Sequence, residues 1–119
     1  MNQYEVQTLI AGKLPQLKND LTLSGPRANI YQSIQVLADY TKRMAIEHEF
    51  KMVESCMSLV QKIYEKGNTL VKNAVENVFI FSFSSIMTIC NIVEWRIVQS
   101  FMPACLYTLY VQQVLKSHD

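Results

Sequence analysis

The sequence predicts an all-α fold: a compact bundle, or a short helical-repeat-like array, of about six to seven helices. Apolar residues recur every three or four positions through most of the chain, which is the period of a helix with one buried face. Glycine, proline and asparagine residues interrupt this pattern where helices would end. At 119 residues the chain has the length of one ordinary domain, and we expect residues 1–119 to form a single helical domain.

The first 23 residues predict two short helices. Apolar residues recur at helical spacing, but Gly12 and Pro15 interrupt them. Proline cannot donate to a helix ladder and suits a first helical turn, so we expect the helices to meet near Gly12 and Lys13. The turn residues at positions 23–26 then predict a chain reversal.

Two amphipathic helices are predicted next. Asn29 suits the N-cap of the first, which carries apolar residues on one face over residues 30–45. The charged residues 47–49 mark the expected bend. The second helix is predicted over residues 50–66, and its wide apolar face suggests contact with two neighbours.

Residues 66–87 are predicted to form the central helix. We expect Gly67 to adopt the left-handed conformation that is common after a helix end, and Asn68 or Thr69 to cap the central helix. The alternation over residues 78–84 also fits a strand. Helix is preferred because no turn residue interrupts the pattern and no second strand is available for pairing. Because the second half of this helix, beyond Asn77, is apolar on all sides, we expect it to be buried.

After Met87 the residues that mark helix starts and ends give weaker signals. Asn91 is expected to cap a short helix that includes Val98. Ser100 as cap, with Pro103 in the first turn, predicts a final helix that frays over residues 116–119.

Charge is distributed unevenly along the chain. The net charge is +1 and no cluster of basic residues extends beyond Lys42 and Arg43, so the sequence argues against nucleic-acid binding. Over residues 77–115 the charged residues are Glu94 and Arg96 alone. This third of the chain is therefore expected to be buried in the fold or against a partner. A membrane location is disfavoured because its uncharged runs carry many polar side chains.

The cysteines predict reduced thiols in the cytoplasm. Cys56, Cys90 and Cys105 are odd in number and each lies among apolar residues, which is typical of buried thiols. The first residues lack the basic and apolar segments of a signal peptide. His48 has no potential metal ligand one helical turn away, and we expect it to be a solvated surface residue. No catalytic group, metal site or cofactor site is predicted.

Two groups of residues are candidate binding sites. Polar residues at spacings of three and four share one helix face and predict a small polar patch, with helix capping and an ordinary helix surface as the alternative. Residue types that favour interfaces lie near the C-terminus, with core packing of the aromatic rings as the alternative. The first group is Thr69, Asn73, Glu76 and Asn77; the second is Trp95, Arg96, Tyr107 and Tyr110.

Residues spread over roughly positions 9–110 match the pattern of a known family. They are Leu14, Pro15, Leu17 and Lys18, then Ile30, Tyr31, Asp39, Tyr40 and Thr41, then Gly67, Asn68, Val71, Asn73, Val75, Val78 and Phe83, and finally Pro103 with Leu106. On these residues the chain resembles a bacterial family of small all-helical proteins of unknown function. An acidic residue expected shortly after Phe83 is replaced by Ser84 and Ser85. The resemblance implies a compact, repeat-like helical array and no known activity.

These observations favour a non-enzymatic protein–protein interaction module. The expected partner is another protein or a second copy of the chain in a homo-oligomer. A more specific hypothesis is an immunity or antitoxin-like role, in which the protein binds a toxin. We expect Phe81→Asp to unfold or dissociate the protein and Asn73→Ala to leave its stability nearly unchanged. The alternative is a carrier or sensor with an apolar pocket between helices. Its predicted lining is Met57, Phe79, Phe81, Phe83 and Met87.

Overall fold

The computed structural model describes residues 3–23, 30–82, 91–100 and 102–117. Its first part contains α1 (Gln3–Lys13), a 3₁₀ turn (Pro15–Leu17) and α2 (Lys18–Leu23). The break falls where Pro15 opens the 3₁₀ turn, as the sequence predicts. The predicted reversal after α2 and the cap at Asn29 lie outside the described residues.

The rest of the described chain is also helical. α3 (Ile30–Ile46) and α4 (Phe50–Lys66) are joined at the predicted bend, and α5 (Thr69–Ala74) runs directly into a π-helical turn (Val75–Phe79). Residues 80–82 continue as helix. Two further helices follow, α6 (Ile92–Ser100) and α7 (Ala104–Ser117). The described ranges contain no strand, and the predicted all-α fold is confirmed.

The central element is α3, not residues 66–87. Helices α1, α2, α4 and α5 and the π-turn all contact α3. Several of its buried residues are small, which lets neighbouring helices approach closely. The buried Thr41 hydroxyl donates to the Leu37 carbonyl at 2.8 Å, so this polar group is satisfied within the helix. The buried residues of α3 are Ile30, Ser33, Ile34, Leu37, Ala38, Tyr40, Thr41 and Ala45.

The π-turn changes which residues face the core after α5. A π-turn contains one more residue than an α-turn, so it rotates the following side chains around the helix axis. Phe79 and Ile80 are buried, whereas Phe81 is 68% exposed. The expectation that this half is buried on all sides is therefore wrong at Phe81, and the part after residue 82 lies outside the described residues.

Gly67 is required for close packing and not for a left-handed conformation. Its φ of −75° and ψ of 150° are extended, which corrects the sequence prediction. A Cβ at this position would lie 2.5 Å from Cγ1 of Val71 and 2.7 Å from the Ile63 carbonyl oxygen. A left-handed conformation occurs instead at His48, whose φ of 62° turns the chain between α3 and α4.

Side-chain caps define two of the later helix starts. Asn68 Oδ1 accepts from the Val71 backbone N–H at 3.0 Å, which decides between the two predicted caps of α5. Asn91 Oδ1 accepts from the Glu94 N–H at 2.8 Å, as predicted for α6. Ser100 does not cap the final helix, because it is the last residue of α6 and its hydroxyl donates to Ile97.

The final helix differs from its prediction at both ends. Pro103 lies before its first residue and accepts a hydrogen bond from the Tyr107 N–H at 2.9 Å, so it occupies the cap position and not the first turn. The helix continues through Ser117, beyond the predicted start of fraying. Residues 118 and 119 lie outside the described ranges.

Adjacent phenylalanines provide a matched test of the π-turn. We expect Phe79→Ala to lower the free energy of unfolding by about 3–5 kcal/mol, because it removes a fully buried ring. Because Phe81 is exposed, Phe81→Ala or Phe81→Asp should change it by less than about 1 kcal/mol, which replaces the unfolding that the sequence predicts for Phe81→Asp. Urea unfolding followed by far-UV circular dichroism measures both. Equal losses at the two positions would contradict the assigned register.

Candidate functional site

The predicted polar patch divides into an exposed part and an anchored residue. Thr69, Asn73 and Asn77 are exposed. Glu76 is half-buried and accepts a hydrogen bond from the Tyr64 hydroxyl at 3.0 Å. Its backbone carbonyl accepts from Gln113 Nε2 at 2.8 Å. Glu76 therefore joins α4 and α7 to the π-turn.

A shallow cleft of about 230 Å³ lies between the π-turn and α7. Glu76 and Asn77 line it together with Leu109, Gln112 and Gln113 of α7. Thr69 and Asn73 lie on earlier turns and do not line this cleft. The structure thus brings only two of the four predicted residues together with a neighbouring helix.

Tyr64 was not predicted to belong to this polar group. Burial raises the pKa of its hydroxyl, and the bond to Glu76 raises the pKa further. The Lys72 ammonium lies 5.7 Å from the centroid of the Tyr64 ring. The sequence offered one indication of this contact: a half-buried tyrosine usually finds a hydrogen-bond partner for its hydroxyl.

The interface candidates near the C-terminus separate into two pairs. Trp95 and Tyr110 pack together between α6 and α7, with ring centroids 5.8 Å apart and planes tilted by 54°. Burial raises the pKa of Tyr110, and the nearby Tyr107 adds to this shift. Arg96 and Tyr107 are exposed. Core packing therefore explains the first pair, and the second remains on the surface.

His48 has a partner that sequence proximity does not indicate. Its Nδ1 lies 2.8 Å from Oε2 of Glu94, so the corner between α3 and α4 contacts the first turn of α6. The imidazole is nevertheless largely exposed, as expected. Among the described residues no group of three potential ligands could hold a metal ion.

The cysteines lie in different environments. Cys56 is buried, and burial raises the pKa of its thiol although a hydrogen bond with Thr41 lowers it in part. Cys105 is only half-buried. Burial is thus confirmed for Cys56, while Cys90 lies outside the described residues.

The lining predicted for an apolar pocket is not assembled. Met57 and Phe79 are fully buried in the core, whereas Phe81 is largely exposed. Phe83 and Met87 lie outside the described residues. None of the helices within the described ranges has the length and apolar character needed to cross a membrane.

Exposed apolar side chains lie in the charge-poor part of the chain. Ile92 is 73% exposed and Val93 is 67% exposed in the first turn of α6, and Phe81 is similarly exposed before it. The sequence predicts an interface in this region but did not single out these residues, because their apolar character is equally consistent with a core. We call Ile92 and Val93, which are adjacent in the first turn of α6, the apolar surface.

The polar patch gives a matched pair of substitutions. We expect Glu76→Ala to lower the free energy of unfolding by about 1–2 kcal/mol, because the Tyr64 hydroxyl loses its acceptor. Asn73→Ala should change it by no more than about 0.5 kcal/mol. A double-mutant cycle with Tyr64→Phe, measured by urea unfolding, isolates the bond. Additive losses in that cycle would show that the pair does not interact.

The thiols should differ in reactivity. Alkylation by iodoacetamide near about pH 8 should be at least about tenfold slower at Cys56 than at Cys105, because Cys56 is buried and its pKa is raised. Mass spectrometry of the cysteine-containing peptides follows each site separately. The rates should become similar in urea, and similar rates in the native protein would contradict the burial of Cys56.

Comparison with known proteins gives a family and no activity. No curated protein and no solved structure matches the chain. A family described as a domain of unknown function, DUF7674, matches residues 8–116. Since this match covers nearly the whole chain, the protein belongs to the DUF7674 family.

Proposed function

We propose that this protein is a non-enzymatic, cytoplasmic protein-binding module and that its partner docks on the apolar surface. The observation that carries the proposal is the exposure of Ile92 and Val93 in a third of the chain that has very few charges and in which Phe81 is also exposed. Isolated exposed apolar residues are common in proteins. Two consecutive β-branched residues that both face solvent at a helix start favour an interaction surface.

The simplest partner is a second copy of the chain. Contact between two apolar surfaces would remove them from water, and the carboxylate of Glu94 in the same turn of α6 already lies beside His48. Arg96 is exposed on α6, which also carries Ile92 and Val93, and Tyr107 is exposed on α7; both belong to the residue types that favour interfaces. A homo-oligomer is therefore the first form to test.

A more specific form is an immunity or antitoxin-like role, in which this surface covers a toxin. It rests on analogy with small helical proteins that act in this way. Sedimentation of the protein alone tests self-association, and co-expression with a toxin-like protein encoded beside it tests the specific form. Failure to protect the host cell would contradict the specific form.

Substitution of the apolar surface tests the proposal. We expect Ile92→Asp with Val93→Asp to weaken self-association at least about tenfold, because charges would replace buried apolar contacts. Analytical ultracentrifugation at micromolar concentrations measures the dissociation constant. Circular dichroism should remain unchanged.

Leu70→Asp is the control, because Leu70 is an exposed apolar residue in the first turn of α5. It should leave association unchanged. A strictly monomeric wild-type protein that also fails to bind an apolar dye would contradict a binding role for this surface. A monomer whose dye binding is lost with the aspartate substitutions would favour a different protein as the partner.

A further inference from the structure

A groove of about 660 Å³ lies between the end of α1 and the outer face of α4. Lys51, Ser55, Ser58 and Lys62 follow one another on α4 at spacings of four, three and four, so they form one stripe along the helix. Lys13, in the last turn of α1, faces this stripe across the groove.

The groove combines an apolar base with a basic rim. Leu14 and Leu59 line it and are buried, whereas the three lysines are exposed. Glu54 is the single acidic residue of the lining. Within the described part of the chain, none of the three ammonium groups has a carboxylate within ion-pair distance.

Lysines on an exposed helix face are usually only solvated. Here they come from two helices to one groove, and its lining holds three lysines against one glutamate. An anionic partner would therefore meet three cations without first displacing internal ion pairs.

We infer that this groove binds an acidic, extended segment of a partner protein. Lys51 and Lys62 are eleven positions apart, or about 16 Å along the helix axis, which matches about five residues of extended peptide. Acidic side chains of such a segment would pair with the lysines, and an apolar side chain between them would contact Leu14 and Leu59. The hydroxyl of Ser58 can donate to a peptide carbonyl.

The lining favours a peptide over a nucleic acid. It contains no aromatic ring on which a base could stack. Glu54, between the lysines, would repel a continuous phosphate backbone. A peptide can place a neutral residue at that point. The groove uses no residue of the apolar surface, so this inference is independent of the proposed function.

A short acidic peptide is the probe for the experiment. Fluorescence anisotropy of a labelled peptide of about eight residues, composed of glutamate with interspersed leucine, measures its affinity for the full chain. We expect saturable binding that weakens as salt rises from about 20 mM to about 300 mM. A peptide with lysine in place of glutamate should not bind.

Removing two positive charges inside the groove, and two outside it as a control, tests whether the peptide binds in the groove. Lys51→Gln with Lys62→Gln should weaken peptide binding about tenfold, since each removes one close charge contact. Lys42→Gln with Arg43→Gln, on α3 and outside the groove lining, produces the same net charge and should change the affinity less than about twofold. Thermal melts of all variants should remain cooperative, because none of the substituted residues is buried.

Three results would overturn the inference. One is the absence of saturable binding by the acidic peptide. Another is an equal loss of affinity in the control pair, which would indicate attraction by net charge alone. The third is tighter binding of a single-stranded oligonucleotide of equal length, with the same dependence on Lys51 and Lys62, which would assign the groove to nucleic acid.

Discussion

The fold depends on the burial of α3 by neighbours on several sides. A helix in this position must combine large apolar residues that fill the core with small residues that allow close approach. Ile34 and Leu37 supply the first, and Ser33, Ala38 and Ala45 supply the second. The 3₁₀ turn is tied to the same helix, because Gln16 Nε2 donates to the Tyr40 hydroxyl at 2.8 Å. The helices from α1 to the π-turn thus share one support.

Most of the helices could be predicted because the signals are local. The spacing of apolar residues in α3 and α4 follows their buried faces, and Pro15, Asn68 and Asn91 mark real boundaries. The central position of α3 could not be predicted in this way. Amphipathicity shows that a helix has a buried face, but it does not show how many neighbours cover that helix.

The candidate site was less predictable than the fold. The bonds Tyr64–Glu76 and His48–Glu94 join residues distant in sequence, and no periodicity encodes such pairs. The π-turn is a second reason, since one additional residue in a turn reverses the expected environment of Phe81. Apolar composition alone does not distinguish a core residue from an exposed interface residue. The exposure of Ile92 and Val93 therefore could not be predicted from the sequence.

The start of α6 is held in place by contacts that differ in kind. Asn91 and Glu94 cap its first turn, and His48 binds the same glutamate from the α3–α4 corner. Trp95 then packs on Tyr110 of α7. Because these contacts restrain the backbone on both sides of Ile92 and Val93, the exposure of these two residues does not come from a loose helix end. A surface that is ordered before binding loses less conformational entropy when a partner docks, which makes even a small apolar contact more effective.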